Sequence, residues 1–151
     1  MLAQALIDTG LDGHVYSVEL ERVNYERAVQ NIQSAGVASR VSLHCSDSIA
    51  FLESFVQTVD CIRFAFLDGS HLQDHVLKEF DIVHPKLADE SIVFFDNTYR
   101  LNLENPEQRV NGALRMITQR YGSNLINFEN TSWFTPGQAI WQRHGFGKDW
   151  R

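Results

Sequence analysis

Residues 62–71 read IRFAFLDGSH. The first six positions are a nearly continuous apolar run, broken only by Arg63, and the run stops at Asp68-Gly69. A run of this kind is expected of a strand covered on both faces, as in parallel sheets, and it predicts a strand over Ile62–Leu67. Residues 91–97, SIVFFDN, repeat the design: a buried strand over 91–95 that ends at Asp96-Asn97. Between the two, residues 72–83 have helical spacing and are closed by Pro85.

The same rhythm extends toward the N-terminus. Val41–Cys45 predicts a strand, and Asp47 or Ser48 is placed to cap a helix with Ile49, Phe51, Leu52 and Phe55 on its inner side. Residues 22–35 predict an amphipathic helix with Val23, Ala28, Val29, Ile32 and Ala35 on one face and Gly36 as its stop. A short strand over 14–18 ends at Glu19, and residues 2–8 have helical spacing with Gly10 behind them. Toward the C-terminus the pattern changes. Residues 98–106 are polar and loop-like, and 107–121 are helical. Residues 125–128 and 138–142 are strand candidates on either side of a Pro136-Gly137 turn, expected to pair as an antiparallel hairpin.

Alternating strands and helices imply right-handed parallel crossovers. The expected class is α/β: a Rossmann-like, doubly wound, mostly parallel sheet with a C-terminal antiparallel hairpin. One domain over 1–142 and a tail over 143–151 account for the 151 residues.

Composition narrows the function classes. The chain is 44% hydrophobic and 21% charged, as ordinary globular domains are. Its formal charge of −6, without any basic run, argues against a nucleic-acid partner. The acidic balance and the lack of a long apolar stretch argue against a membrane. The opening MLAQALIDTG has no positive n-region and is not read as a signal peptide. Cys45 and Cys61 are too few for a disulfide framework and are expected as small apolar core residues, which makes a reducing cytoplasm the default location.

In doubly wound sheets ligands bind beyond the carboxyl ends of the strands. Four strand ends carry Glu19, Asp47, Asp68 and Asp96-Asn97, so one rim of the sheet is expected to be acidic. Helix capping explains any one of these acids alone. The segments V15-Y16-S17-V18-E19, S46-D47-S48, F66-L67-D68-G69-S70-H71 and F94-F95-D96-N97 together resemble the class I S-adenosylmethionine-dependent methyltransferases, nearest the catechol-type and Asp-Gly-x-His O-methyltransferases of small molecules.

The resemblance implies a set of roles. Glu19 would bind the ribose hydroxyls of S-adenosylmethionine, with Asp47 and Ser48 at its adenine and Asp68 beside them in the cofactor-binding group. Asp68, Asp96 and Asn97 match a metal triad, with Mg²⁺ as the candidate cation. His71, three residues after Asp68, stands where catechol-type enzymes put a lysine base, and with Asp68 forms the candidate catalytic pair. The expected substrate is a hydroxyl-bearing small molecule. Tyr99, Trp133 and Phe134 are candidates for its pocket wall.

The family's first strand and Gly-x-Gly loop, which precede the helix matched by residues 2–8, are absent from these residues. That strand lies between the ones at 15–19 and 62–67 in the family, so its loss leaves two apolar edges. The resulting expectation is a truncated methyltransferase domain, with a homodimer as one way to use the open edges. A degenerate, non-catalytic Rossmann-like interaction domain is the alternative. A nicotinamide-dependent oxidoreductase fragment lacks its glycine fingerprint and leaves Asp68 and Asp96-Asn97 without a role. H71-L-Q-D-H75 only loosely resembles the inverted zinc motif and has no further ligand downstream.

Overall fold

The computed structural model describes residues 1–98, 109–122, 124–128 and 137–143. Tyr99, Trp133, Phe134 and most of the expected tail lie outside the described residues. The chain forms two compact units, residues 1–54 and 55–151.

The first unit runs α1 (Leu2–Thr9), β1 (Val15–Glu19), α2 (Arg22–Ser34), a 3₁₀ turn (Ala38–Arg40), β2 (Val41–Cys45) and most of α3 (Ser48–Phe55). β1 and β2 pair in parallel, from Val15 opposite Val41 to Glu19 opposite Cys45. α1 stops because Gly10 takes a left-handed conformation (φ 65°) and turns its N–H back to the Ile7 carbonyl. Glycine adopts that conformation without steric cost. α2 has no fully buried residue. Ala28, Val29 and Ile32 are half-buried as its periodicity predicts, whereas Val23, expected on the same face, is 69% exposed. It sits in the first turn, where the chain has only begun to approach the strands.

The second unit runs β3 (Ile62–Leu67), α4 (Gln73–Val83), a 3₁₀ turn (His84–Lys86), β4 (Leu87–Asp96), α5 (Val110–Tyr121), β5 (Asn124–Phe128) and β6 (Gln138–Gln142). The strand order is β3-β4-β6-β5. β3 and β4 are parallel, with Leu67 opposite Phe95. β6 is antiparallel to both β4 and β5, so the expected hairpin forms and also extends the sheet. β4 is longer than the sequence indicates because it starts directly after Pro85 and the 3₁₀ turn.

Val76, Leu77 and Phe80 of α4 and Val110, Ala113, Leu114 and Ile117 of α5 share one core with Val93, Phe95, Ala139 and Trp141 of the sheet. Phe80 lies at its centre. Its ring meets Phe95 at 5.9 Å, Trp141 at 5.0 Å and Tyr121 at 5.4 Å between centroids. Offset and edge-on pairs at these separations add to the stabilisation from burial.

Two expectations change. β3 is covered on one face only: Phe64 and Phe66 are 40% and 50% exposed. Strict alternation places Phe66, Phe94, Ile140 and Ile126 in register on the face away from α4 and α5. A continuous apolar run therefore reports what a strand is able to bury, not what the described residues bury. Cys45 and Cys61 are exposed, because one ends β2 and the other precedes β3, at rim positions beyond the packed layers. The strands form two sheets, β1-β2 and β3-β4-β6-β5, in keeping with the expected α/β class. No described helix is long and apolar enough to cross a membrane.

His84 stacks on Tyr121 with ring centroids 4.0 Å apart. Burial, helped by the charge of Arg143, holds its pKa below the ordinary imidazole value, against the opposing pull of Asp81. The unfolded chain then binds the proton more tightly than the folded one. Stability is complete above the unfolded value of about 6.5 and falls as pH drops from there through the lower folded value. Melting curves of the chain from pH 7.5 down to pH 5 are expected to show a falling midpoint, and a His84→Phe variant a smaller fall. Equal slopes for the two proteins would remove His84 from the account.

Candidate active site

β3 and β4 run side by side in the same direction, and Leu67 and Phe95 are the last register partners before their ends. Asp68 and Asp96 are therefore neighbours at the carboxyl edge of the sheet, one residue after Leu67 and at the last residue of β4. His71 reaches this edge from the turn after β3. Its Nε2 lies 3.5 Å from Asp68 Oδ1 and 2.6 Å from Asn97 Nδ2. Asn97 Nδ2 also donates to Asp96 Oδ2 at 3.1 Å. An antiparallel bridge between Leu72 and Arg109 ties the His71 turn to the start of α5.

Burial raises the pKa of the Asp68 carboxyl, and the neighbouring Asp96 charge raises it further; His71 partly offsets both. A carboxyl group that resists ionisation beside a second carboxylate and an imidazole is common at sites that handle protons or cations. Asn97 is one of two non-glycine residues described with positive φ, at 59°. Asparagine tolerates this region better than most residues, and here it folds the side chain back onto Asp96 and His71.

Four of the expected site residues, Asp68, His71, Asp96 and Asn97, are thus brought together in the second unit. Glu19, Asp47 and Ser48 belong to the first, at the carboxyl ends of β1 and β2. Glu19 Oε1 accepts the Glu21 backbone N–H at 2.8 Å, which orders the turn into α2 and leaves the second carboxylate oxygen for another donor. Asp47 Oδ1 accepts the Ala50 N–H at 3.0 Å, so it is the residue that caps α3. Ser48 is the first residue of that helix.

Sequence reasoning passed over Gln138, which lies opposite Asp96 in the β4–β6 ladder and donates from Nε2 to Asp96 Oδ1 at 3.3 Å. It also passed over Thr98, Asn111 and Asn127, which bond to one another behind Asn97. The register of the hairpin against β4 was the signal that would have found Gln138. Among the described residues no group of three or more His, Cys, Asp and Glu side chains is set to hold a metal ion.

Comparison with known proteins places the fold. The chain is similar in structure to the O-methyltransferase of Bacillus cereus in complex with S-adenosylhomocysteine, with a TM-score of 0.73 at 16% identity over 87% of this chain and 63% of that one. It is similar to the O-methyltransferase TomG of Streptomyces achromogenes, of tomaymycin synthesis, in complex with S-adenosylmethionine, with a TM-score of 0.71 at 19% identity over 89% of this chain and 63% of that one. Cofactor-bound Rv0187 from Mycobacterium tuberculosis aligns with a TM-score of 0.72 at 17% identity over 95% of this chain and 67% of that one. The chain therefore spans less than two thirds of the first two relatives, and at these identities the likeness is one of fold. No curated protein matches it in sequence. The pattern of the family described as "Methyltransferase domain" matches residues 1–98, from α1 through the Asp96-Asn97 turn. With well over half of its length matched, the chain belongs to the methyltransferase domain family.

Proposed function

We propose that the protein transfers a methyl group from S-adenosylmethionine to a hydroxyl oxygen of a small molecule. The observation that carries this reading is the Asp68–His71–Asp96–Asn97 cluster at the carboxyl ends of two adjacent parallel strands, in a chain whose family transfers methyl groups. Glu19, at the end of β1, supports it. The carboxylate keeps one oxygen after accepting the Glu21 amide, as a residue bonding vicinal ribose hydroxyls requires. Asp47 and Ser48 follow β2 as the adenine-side residues.

Bound S-adenosylmethionine supplies the electrophilic methyl. His71 takes the proton of the substrate hydroxyl at Nε2, and the oxygen thereby becomes the nucleophile. The Asp68 carboxylate beside it keeps the imidazole in place and stabilises its charged form once the proton has moved. The donors of the cluster, two carboxylates and an amide, are of the kind a hard cation such as Mg²⁺ takes. Asp68, Asp96 and Asn97 would hold it, with the Asn97 amide turned over, because Asn97 now directs its N–H₂ inward. Such a cation would lower the pKa of the acceptor hydroxyl.

Calorimetric titration with S-adenosylhomocysteine tests the reading. Binding is expected. Glu19→Gln is expected to weaken it about 10–100-fold, the loss of a charge-assisted bond of roughly 1.5–3 kcal/mol. No heat of binding by the unsubstituted chain would overturn the cofactor assignment and favour a non-catalytic interaction domain. The same titration with and without Mg²⁺ and chelator reads the metal separately.

A further inference from the structure

β4, β6 and β5 meet at one edge of the second sheet, and their pairing lines up three side chains there. Asp96 lies opposite Gln138, and Gln138 opposite Phe128. Register partners point to one face of a sheet, here the face away from α4 and α5. Gln138 donates from Nε2 to Asp96 Oδ1 at 3.3 Å, so the His71–Asp96 cluster continues onto β6. Phe128, 50% exposed, closes the row on β5. One pair further back, Phe94, Ile140 and Ile126 form a second, wholly apolar row. Phe66 prolongs it onto β3, with its ring edge-on to Phe94 at 6.5 Å between centroids. Ile126 is 55% exposed. Among the described register partners of β4, β6 and β5 on this face, Asp96 is the one charge.

We infer that this ledge binds the methyl acceptor, that the acceptor is a flat, uncharged aromatic alcohol of at least two rings, and that Gln138 and Phe128 hold its first and second ring. An exposed apolar patch bordered by polar groups marks a binding surface, and this one is joined to the cluster by the Gln138–Asp96 bond. The reacting hydroxyl enters the cluster, so the rest of the molecule extends from Asp96 along the row. From Asp96 to Phe128 is two strand spacings, about 10 Å. A single ring anchored at the cluster covers Gln138 and stops short of Phe128, whereas a second ring reaches it. The Gln138 amide, held by Asp96, presents a flat surface to the first ring. Phe128 offers its own ring to the second. A phosphorylated or carboxylated body finds no cation along these rows and meets the Asp96 charge. A sugar would leave hydroxyls without partners over Phe94 and Ile140. The inference rests on the proposed methyl transfer for which end of the acceptor enters the cluster. The ledge itself follows from register and exposure.

NMR titration of the ¹⁵N-labelled full chain with 2-naphthol and with phenol, with and without S-adenosylhomocysteine, tests the ledge without turnover. The probes share one hydroxyl and differ by one ring. 2-Naphthol is expected to bind about tenfold more tightly than phenol. Phe128→Ala is expected to remove most of that difference, weakening 2-naphthol about 5–10-fold and phenol less than about twofold. Gln138→Ala, under the ring that both probes share, is expected to weaken both alike. Phe64→Ala is the control: it lies on the same face, opposite Ile92 and remote from Asp96, and is expected to leave the ratio unchanged. The Trp141 indole N–H, bonded to the Gly122 carbonyl, reports that a variant is folded. If Phe128→Ala does not fold, Phe128→Leu, which keeps apolar bulk without a ring, carries the test with a loss of about threefold. An unchanged 2-naphthol affinity in the folded Phe128 variant, equal losses in the Phe128 and Phe64 variants, or no binding of 2-naphthol under either condition overturns the inference. A chain that binds 2-naphthol in the expected pattern but not S-adenosylhomocysteine overturns the proposed function and leaves the ledge standing.

Discussion

Phe80→Ala is expected to cost the second unit about 3–5 kcal/mol, and Trp141→Ala a similar amount. Phe80 is 0% exposed and Trp141 1% exposed, and both lie where α4, α5 and the sheet meet. Removing either ring loses the transfer free energy of the aromatic side chain and leaves a cavity that rigid neighbours fill only in part. Trp141 adds a further loss, because its indole N–H satisfies the Gly122 carbonyl at the end of α5. Against a total stability of about 5–15 kcal/mol for a domain of this size, either change removes much of the margin. Phe64→Ala is the control. Its ring is 40% exposed on the open face and meets Phe94 at 5.6 Å between centroids. It is expected to cost about 1 kcal/mol or less. Urea denaturation followed by circular dichroism compares the three. Equal midpoints for Phe80→Ala and Phe64→Ala would show that the α4–α5 layer does not organise this sheet.

The contrast between those two phenylalanines also marks how far the sequence could be read. The type and order of the elements were legible because apolar period and glycine stops are local signals. β3, β4, α4 and the hairpin stand within a few residues of where the sequence puts them. What covers each face was not legible, because Phe64 and Phe80 look equally apolar in a sequence, and only the positions of α4 and α5 distinguish them. The cysteines misled for the same reason. At the site, the acids were visible because strand ends locate the binding edge of such a sheet without any coordinates. The amides were not. Gln138, Asn111 and Asn127 come from three segments that follow the parallel part of the chain, and their roles depend on an antiparallel register and on one left-handed residue. Neither leaves a mark in composition or periodicity. A reading from residues alone thus finds the groups that carry charge and misses the neutral ones that orient them.

His71→Ala should lower the rate of methyl transfer by about 10²–10⁴-fold, the usual contribution of a positioned general base. The affinity for S-adenosylhomocysteine should stay within about twofold, because the residues proposed to hold it, Glu19, Asp47 and Ser48, lie at the ends of other strands. The acidity of the acceptor separates a base from a mere packing residue. A phenol with a pKa near 10 must lose its proton on the enzyme, whereas a nitrophenol or nitrocatechol is already largely ionised at neutral pH and needs no help. The defect in His71→Ala is therefore expected to shrink as the acceptor becomes more acidic, approaching the parent rate with the most acidic one. Transfer from radiolabelled S-adenosylmethionine to a graded series of phenols and catechols measures this. A loss that stays constant across the series would mean that His71 shapes the pocket and takes no proton. Full activity of His71→Ala on the least acidic acceptor would move the base elsewhere, with Asp68, the carboxyl whose pKa its surroundings already raise, as the next residue to substitute.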